Sequence, residues 1–105
     1  MERWKGISFN PKYEVSNYGS VRNAKTKKVL AQVTSNSHRQ PQVFLSGDIF
    51  REQYTLSQIV YNEWTRKEDE RPTYYGANGY KVKGNRIGHR DGNPMNNHYK
   101  NLYRY

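Results

Sequence analysis

The chain has 105 residues, no cysteine and a formal net charge of +9. This length predicts one domain. Without cysteine, the chain cannot form a disulfide framework, a cysteine-based zinc finger or an iron–sulfur site, or use a thiol nucleophile. It has no apolar run of the roughly 18 residues that span a membrane, and the first thirty residues lack the apolar segment of a signal peptide. We therefore expect an intracellular protein whose partner is a polyanion, nucleic acid before an acidic membrane surface.

The basic charge lies at the two ends of the sequence. Residues 1–46 contain eight Lys and Arg and two acidic residues, residues 47–73 contain four basic and six acidic residues, and residues 74–105 contain six basic residues and one acidic residue. This distribution indicates two contact zones on a polyanion, and the alternative is charge scattered over a solvated surface. Hydrophobic residues make up only 33% of the chain, but aromatic residues make up 14%. That aromatic share is typical of a small folded domain and not of a disordered chain.

The first half of the sequence is typical of short strands joined by turns, because polar and apolar residues alternate between clusters of Gly, Asn and Ser. The predicted elements are a strand over 12–15, a turn over 16–19, a strand over 20–22, a basic turn over 23–28, a strand over 29–33, a loop over 35–41, and a hairpin that joins 43–45 to 49–50.

The periodicity becomes helical at Thr55. Thr55 and Gln58 have the spacing of a capping box, and apolar residues follow at 56, 59, 60 and 64 on one face of a helix. A loop over 66–79, short strands at 80–82 and 86–87, a turn over 91–94 and a closing helix within 95–104 complete the prediction. The fold class is therefore α+β, with a small antiparallel sheet and a central helix. The tyrosines of the basic C-terminal third fit either packing around a small core or stacking on unpaired bases.

The candidate chemistry lies in residues 88–102. His89 precedes the turn over 91–94, and asparagines follow at 96, 97 and 101. An imidazole suits general-base catalysis because its ordinary pKa lies near neutrality. A carboxamide can fix the tautomer of a histidine or bind a hard cation through its oxygen. On a basic protein this combination favours metal-assisted phosphodiester hydrolysis. The alternative is an ordinary turn beside a half-exposed histidine. His38, in a polar loop, has no evident role.

Two motifs resemble the HNH endonucleases of the phage and intron homing type. The run HRDGN over 89–93, Asn96-Asn97 and Asn101-Leu102 is similar to their H-x-D-G-N…N-N…N-L signature. Upstream, Trp4 and Ile7, the run YEVSNYGSVR over 13–22, and Leu30 are similar to the nuclease-associated modular DNA-binding motif that often precedes that signature. The two motifs cover most of the chain in the family's order, and residues 66–85 resemble an insertion.

The resemblance implies a small sheet and central helix followed by a truncated ββα-metal element. It implies a DNA-binding motif over 1–50 and a helix with the HNH-like element over 51–105, in one compact unit. His89 falls at the position of the general base, and Asn101 at that of a helix-borne residue that orients the histidine. One Mg²⁺ or Mn²⁺ ion would stabilise the scissile phosphate and the leaving oxygen. The residues expected to contact DNA are Arg22, Lys25, Lys27, Lys28, Lys81, Lys83, Arg86, Arg90, Lys100 and Arg104.

Three positions depart from the family pattern. Gly88 stands where the family often has a metal-binding Asp or Asn, and the sequence ends at Tyr105, before a second ligand is expected. Ser57 stands where the family often has a histidine. Asp91, Asn97 and His98 are the substitute ligand candidates.

Two functions therefore fit the sequence. The first is a phage-encoded, metal-dependent DNA endonuclease acting in the cytoplasm of a bacterial host. The second is an inactive HNH-derived binding protein, either a DNA-binding regulator or a phage inhibitor of a host enzyme or defence system. DNA is the expected partner of the first, and a host protein a further partner of the second. Neither involves a membrane, and a dimer is compatible with both.

Overall fold

The structure, a computed structural model, describes residues 1–8, 10–32, 41–46, 51–67 and 87–105, except the side chains of 51–53. In chain order its elements are β1 (Trp4–Ile7), β2 (Asn10–Ser16), β3 (Val21–Asn23), β4 (Gln42–Ser46), β5 (Arg51–Thr55), α1 (Leu56–Val60), a π-helical turn (Tyr61–Thr65), β6 (Ile87–His89), a 3₁₀ turn (Tyr99–Asn101) and β7 (Leu102–Arg104). This arrangement confirms the α+β class with antiparallel strands and a short helix.

The first sheet has the antiparallel order β1-β2-β3. Val15 pairs with Val21 and both are buried, whereas Glu14 pairs with Arg22 on the more exposed face. This alternation is the pattern that predicted the two strands. The predicted turn between them is also confirmed, and Gly19 supplies its positive φ of 95°.

The predicted strand over 29–33 is wrong within the described residues. Val29 forms only an isolated bridge with Arg22 and is 54% exposed. The preceding turn is held by its own side chain, because Asn23 Oδ1 accepts hydrogen bonds from the amides of Lys25 and Thr26. The chain leaves this turn through Lys27, at a positive φ of 63°.

The second sheet is the hairpin of β4 and β5, in which Ser46 pairs with Arg51. The prediction of a strand over 43–45 is confirmed. The other predicted strand, at 49–50, lies outside the described residues.

The predicted helix begins at Thr55 as expected, but it does so without the capping box. The Thr55 side chain makes no capping hydrogen bond. The backbone carbonyl of Pro41 instead accepts a 2.9 Å hydrogen bond from the Leu56 amide, so a neighbouring loop takes the place of the side-chain cap. All five residues of α1 are buried, because sheets and loops surround this helix.

The closing helix predicted within 95–104 is also wrong. Residues 102–104 form β7, which pairs with β6 so that His89 lies opposite Leu102. Leu102 is buried in the core, and this burial favours a strand over a further helical turn. Only Tyr99–Asn101 are helical, as a 3₁₀ turn. The predicted strand at 80–82 and most of the predicted loop over 66–79 lie outside the described residues.

The hydrophobic core joins all three sheets and the helix. Its buried members are Ile7, Val15, Val21, Val43, Leu45, Leu56, Ile59, Val60, Tyr61 and Leu102. The half-buried Trp64 packs against this cluster and donates a 3.2 Å hydrogen bond to the Val15 carbonyl. In the described part of the chain, no helix is long and apolar enough to cross a membrane.

Replacing Ile59 by alanine should lower the free energy of unfolding by about 2–5 kcal/mol, because the side chain is fully buried at the centre of α1. Val29→Ala is the matched control and should change it by less than about 0.5 kcal/mol, since Val29 is mostly exposed. Urea unfolding followed by circular dichroism measures both values. Equal losses in the two variants would contradict the proposed core.

Candidate active site

A loop over residues 90–101, here called the site loop, joins His89 at the end of β6 to β7. Asp91 organises this loop from within. Its Oδ1 accepts hydrogen bonds from the Asn93 amide (2.8 Å) and Asn101 Nδ2 (2.9 Å), and its Oδ2 accepts one from Asn96 Nδ2 (2.9 Å). Asn101 closes the network, because its Oδ1 accepts a hydrogen bond from the Asp91 amide. The carboxylate therefore serves as an internal clip for a segment without regular secondary structure.

The same contacts favour the charged form of Asp91. The hydrogen bond from Asn96, followed by those from the Asn93 amide and the Asn101 side chain, lowers the pKa of Asp91 from 3.8 to about 2. The Asp91 carboxylate is therefore ionised at neutral pH.

His89 is held by Asn97. His89 Nε2 lies 2.8 Å from Asn97 Oδ1, and Asn97 Nδ2 donates a 3.3 Å hydrogen bond to the Pro94 carbonyl. Because the amide nitrogen is committed to Pro94, the amide oxygen faces the imidazole and accepts its Nε2 proton. In this tautomer the lone pair is on Nδ1, for which the described residues supply no hydrogen-bond partner.

Asn97 and Asn101 make different contacts in the structure from those expected from the sequence. Asn101, expected to orient His89, contacts Asp91 and the Asn96 carbonyl instead. Asn97, a candidate metal ligand in the sequence, contacts His89 and is almost fully buried. Spacing along the sequence cannot distinguish the two, because both residues lie in a loop whose path is irregular.

His98 is committed to the backbone of the site loop. Its Nδ1 accepts a 3.2 Å hydrogen bond from the Lys100 amide and so caps the 3₁₀ turn. Its ring meets that of Tyr18 edge-on, with centroids 4.7 Å apart. Burial, and then the positive charges of Lys100 and the N-terminus, lower the pKa of His98. A neutral ring with an occupied Nδ1 fits this capping role.

The described residues do not fit a metal centre. The space above Gly88 is filled by its cross-strand partner, since a Cβ there would overlap the ring of Tyr103. Both oxygens of Asp91 already accept hydrogen bonds within the loop. No group of three or more His, Cys, Asp and Glu side chains in the described ranges could hold a metal ion. The structure therefore assigns no ligand set to Mg²⁺ or Mn²⁺.

The basic side chains of the first sheet differ in how far they are neutralised. Arg22 Nε lies 2.8 Å from Glu14 Oε1, and its guanidinium lies 4.0 Å from the ring centroid of Trp4. Lys27 Nζ lies 3.3 Å from the same Glu14 oxygen. The hydrogen bond from Arg22, and then contacts with Lys27, lower the pKa of Glu14. Lys25 and Lys28 are exposed and have no side-chain partner among the described residues, so they carry the accessible charge of this turn.

The remaining DNA-contact candidates lie near or beyond the site loop. Arg90 is exposed beside the ring of Tyr103, Lys100 is exposed beside that of Tyr99, and Arg104 is half-buried. Lys81, Lys83 and Arg86 lie outside the described residues.

Comparison with known proteins identifies the N-terminal segment. Residues 2–46 match the NUMOD4 motif. The whole chain also has the fold of a solved structure titled "DNA binding and cleavage by the HNH homing endonuclease I-HmuI", with a TM-score of 0.72 and 22% sequence identity. The match covers 98% of this chain and 52% of that one, so the chain spans about half the length of that protein. No curated protein matches the sequence. The resemblance is thus confirmed for the N-terminal motif by its own family model and for HNH homing endonucleases by the shared fold.

The ordered site loop should depend on pH through Asp91. Because the pKa of Asp91 is about 2 in the folded protein and ordinarily 3.8, ionisation stabilises the loop at higher pH. This contribution is present above about pH 4 and is lost as the pH falls towards about 2. Side-chain amide NMR signals of Asn96 and Asn101 should shift together over that interval. In Asp91→Ala, the Asn96 and Asn101 signals should have the low-pH positions of the wild type at every pH. If the wild-type signals did not depend on pH, Asp91 would not be the residue that holds this loop together.

Proposed function

We propose that the protein binds DNA and hydrolyses its phosphodiester bonds as an HNH-type endonuclease, with His89 as the general base. The observation that carries this proposal is the imidazole of His89, fixed through Nε2 by Asn97 and with Nδ1 left to accept a proton. The fold shared with an HNH homing endonuclease supports the same function.

The hydrogen bonding of His89 supports the proposed hydrolytic role. Nδ1 takes a proton from a water molecule as the water oxygen bonds to phosphorus, and the bond between phosphorus and the leaving oxygen breaks. The ring becomes positively charged in this step. The Asn97 oxygen then stabilises the imidazolium through the Nε2 hydrogen bond and prevents the ring from turning. A divalent cation, which the family resemblance implies, has no ligand set among the described residues, so its place in the reaction is left unassigned.

DNA binding is supported by the net charge of +9 and by the match of residues 2–46 to the NUMOD4 motif. The turn that follows β3 presents Lys25 and Lys28 without neutralising partners in the described part of the chain, and such lysines bind phosphates by displacing condensed counterions. Arg22 and Lys27 contribute less because Glu14 offsets part of their charge.

A second candidate function is DNA binding without cleavage. It is favoured by one pair of observations: Tyr103 covers Gly88, and the Asp91 carboxylate is occupied within the loop. Both candidates use the same DNA-binding residues, so only an assay of bond hydrolysis separates them.

Replacing Lys25 and Lys28 together by glutamine should reduce the salt dependence of DNA binding. Each lost phosphate contact lowers the slope of log K against log salt by about 0.9, so the pair should lower it by roughly 2. Lys27→Gln is the matched control and should lower it by less than about 0.9, since Glu14 already offsets that charge. Fluorescence anisotropy with a labelled duplex, titrated at several salt concentrations, gives the slopes. An unchanged slope in the double variant would remove this turn from the interface.

His89→Ala should reduce the nicking of supercoiled plasmid by about 100-fold or more, because a positioned general base contributes that much to rate. His38→Ala is the control for loss of a histidine to which the sequence assigns no role. The assay contains Mg²⁺ or Mn²⁺, with EDTA in parallel. Absence of nicking by a folded wild type that still binds the plasmid would reject the endonuclease and select the second candidate.

A further inference from the structure

We infer that Gly19 is a positioning residue for His89, and that the turn over residues 16–20, here called the docking turn, fixes the asparagine that holds the imidazole. The catalytic meaning of this inference rests on the proposed function of His89. The positioning itself is a property of the folded chain and does not depend on DNA. The N-terminal segment would then both contact DNA and fix the position of Asn97.

The decisive contact lies between Gly19 and Asn97. A Cβ at position 19 would lie 2.8 Å from Asn97 Cβ, 3.0 Å from the Asn97 carbonyl oxygen and 3.2 Å from its carbonyl carbon. Two of these atoms belong to the backbone, so rotation of a side chain cannot relieve the overlap. Any residue larger than glycine therefore requires Asn97 to move away from the docking turn.

Such a movement reaches His89 directly. Asn97 is only 3% exposed, and its side chain is held between His89 Nε2 and the Pro94 carbonyl. A displacement of its backbone carries the amide oxygen with it. The 2.8 Å hydrogen bond to the imidazole would lengthen, and the ring would lose the partner that keeps the proton on Nε2.

Two further contacts align the site loop on the docking turn just after Asn97. The Tyr99 amide donates a 2.9 Å hydrogen bond to the Asn17 carbonyl, and the His98 ring meets the ring of Tyr18. Because these contacts involve the residues at 98 and 99, they fix the direction in which the chain leaves Asn97. The docking turn thus contacts three successive residues of the site loop.

The docking turn is stiff enough for this role. Ser16 is fully buried, its amide donates to the Ser20 carbonyl (2.8 Å), and its Oγ accepts from the Ser20 amide (3.0 Å). The Asn17 side chain accepts a 2.8 Å hydrogen bond from the Arg3 amide, which ties the turn to the segment before β1. The turn is therefore a fixed surface against which the less regular site loop is set.

The test measures His89 itself and needs neither DNA nor hydrolysis. In the 105-residue chain labelled with ¹⁵N-histidine, exchange of the His89 Nε2 proton with water reports its hydrogen bond to Asn97. Gly19→Ala should speed this exchange about fivefold or more because it displaces the acceptor, and Asn97→Ala should do the same because it removes the acceptor. Cooperative urea unfolding of each variant establishes that it is folded.

Gly92→Ala is the matched control, because Gly92 also has a positive φ of 73° but nothing lies within 4 Å of an added Cβ. It imposes the same kind of backbone strain on the site loop itself, without overlap, and should leave the exchange rate near that of the wild type. The inference would be overturned if folded Gly19→Ala exchanged the His89 Nε2 proton at the wild-type rate. It would also be overturned if Gly92→Ala raised the exchange rate as much as Gly19→Ala does.

Should Gly19→Ala fail to fold, Tyr18→Ala tests the seating of the site loop on the docking turn through a neighbouring contact. Tyr18 is 46% exposed and meets His98 across the two segments. This variant should raise the exchange rate in the same direction by a smaller factor, and an unchanged rate would overturn the inference. Because the measurement omits DNA, failure of plasmid nicking would reject the proposed function and leave this result standing.

Discussion

Asn97 packs directly against the backbone of Gly19, and this contact sets the distance between the first sheet and the site loop. A loop without regular secondary structure has many conformations of similar energy, so its shape must be imposed by what it packs against. Here the docking turn packs against the site loop at Asn97, and Leu102, which follows the loop, is buried in the core. His89 lies opposite Leu102 in the β6–β7 pair and is hydrogen-bonded to Asn97. Its orientation is therefore set by the packing of the whole domain.

The site loop satisfies its polar groups internally, and this requirement explains its composition. Aspartate and asparagine side chains can bond to nearby amides in place of a regular hydrogen-bond ladder. Asp91 accepts three such bonds, and its lowered pKa measures how strongly they favour the carboxylate. The same commitment makes Asp91 a poor metal ligand, since a cation would have to compete with all three donors. Side chains that resemble a catalytic signature thus also perform the structural work of closing a loop.

Local patterns predicted those parts of the fold that local interactions determine. Alternation and the turn after it predicted β2 and β3, and an apolar run beside a turn predicted β4. The glycine-containing turn between β2 and β3 followed from the need for positive φ. The capping box failed because the Pro41 carbonyl, distant in sequence, bonds to the first amide of the helix. The closing helix failed because Leu102 gains more from joining the core than from a helical turn. The choice between Asn97 and Asn101 as the partner of His89 also depends on tertiary packing, which no spacing rule contains.

The proposed DNA binding and the proposed hydrolysis depend on different parts of this architecture. The docking turn precedes β3 and the turn that carries Lys25 and Lys28 follows it, and β3 has only three residues. At about 3.3 Å per residue, the two turns lie roughly 10 Å apart along β3. In the proposed function, the lysines act through charge and tolerate small displacements, whereas His89 depends on its hydrogen bond to Asn97. Sequence changes that loosen the Gly19–Asn97 contact should therefore impair the proposed hydrolysis before they weaken the proposed DNA binding. The same sheet would then serve the second candidate function, DNA binding without cleavage.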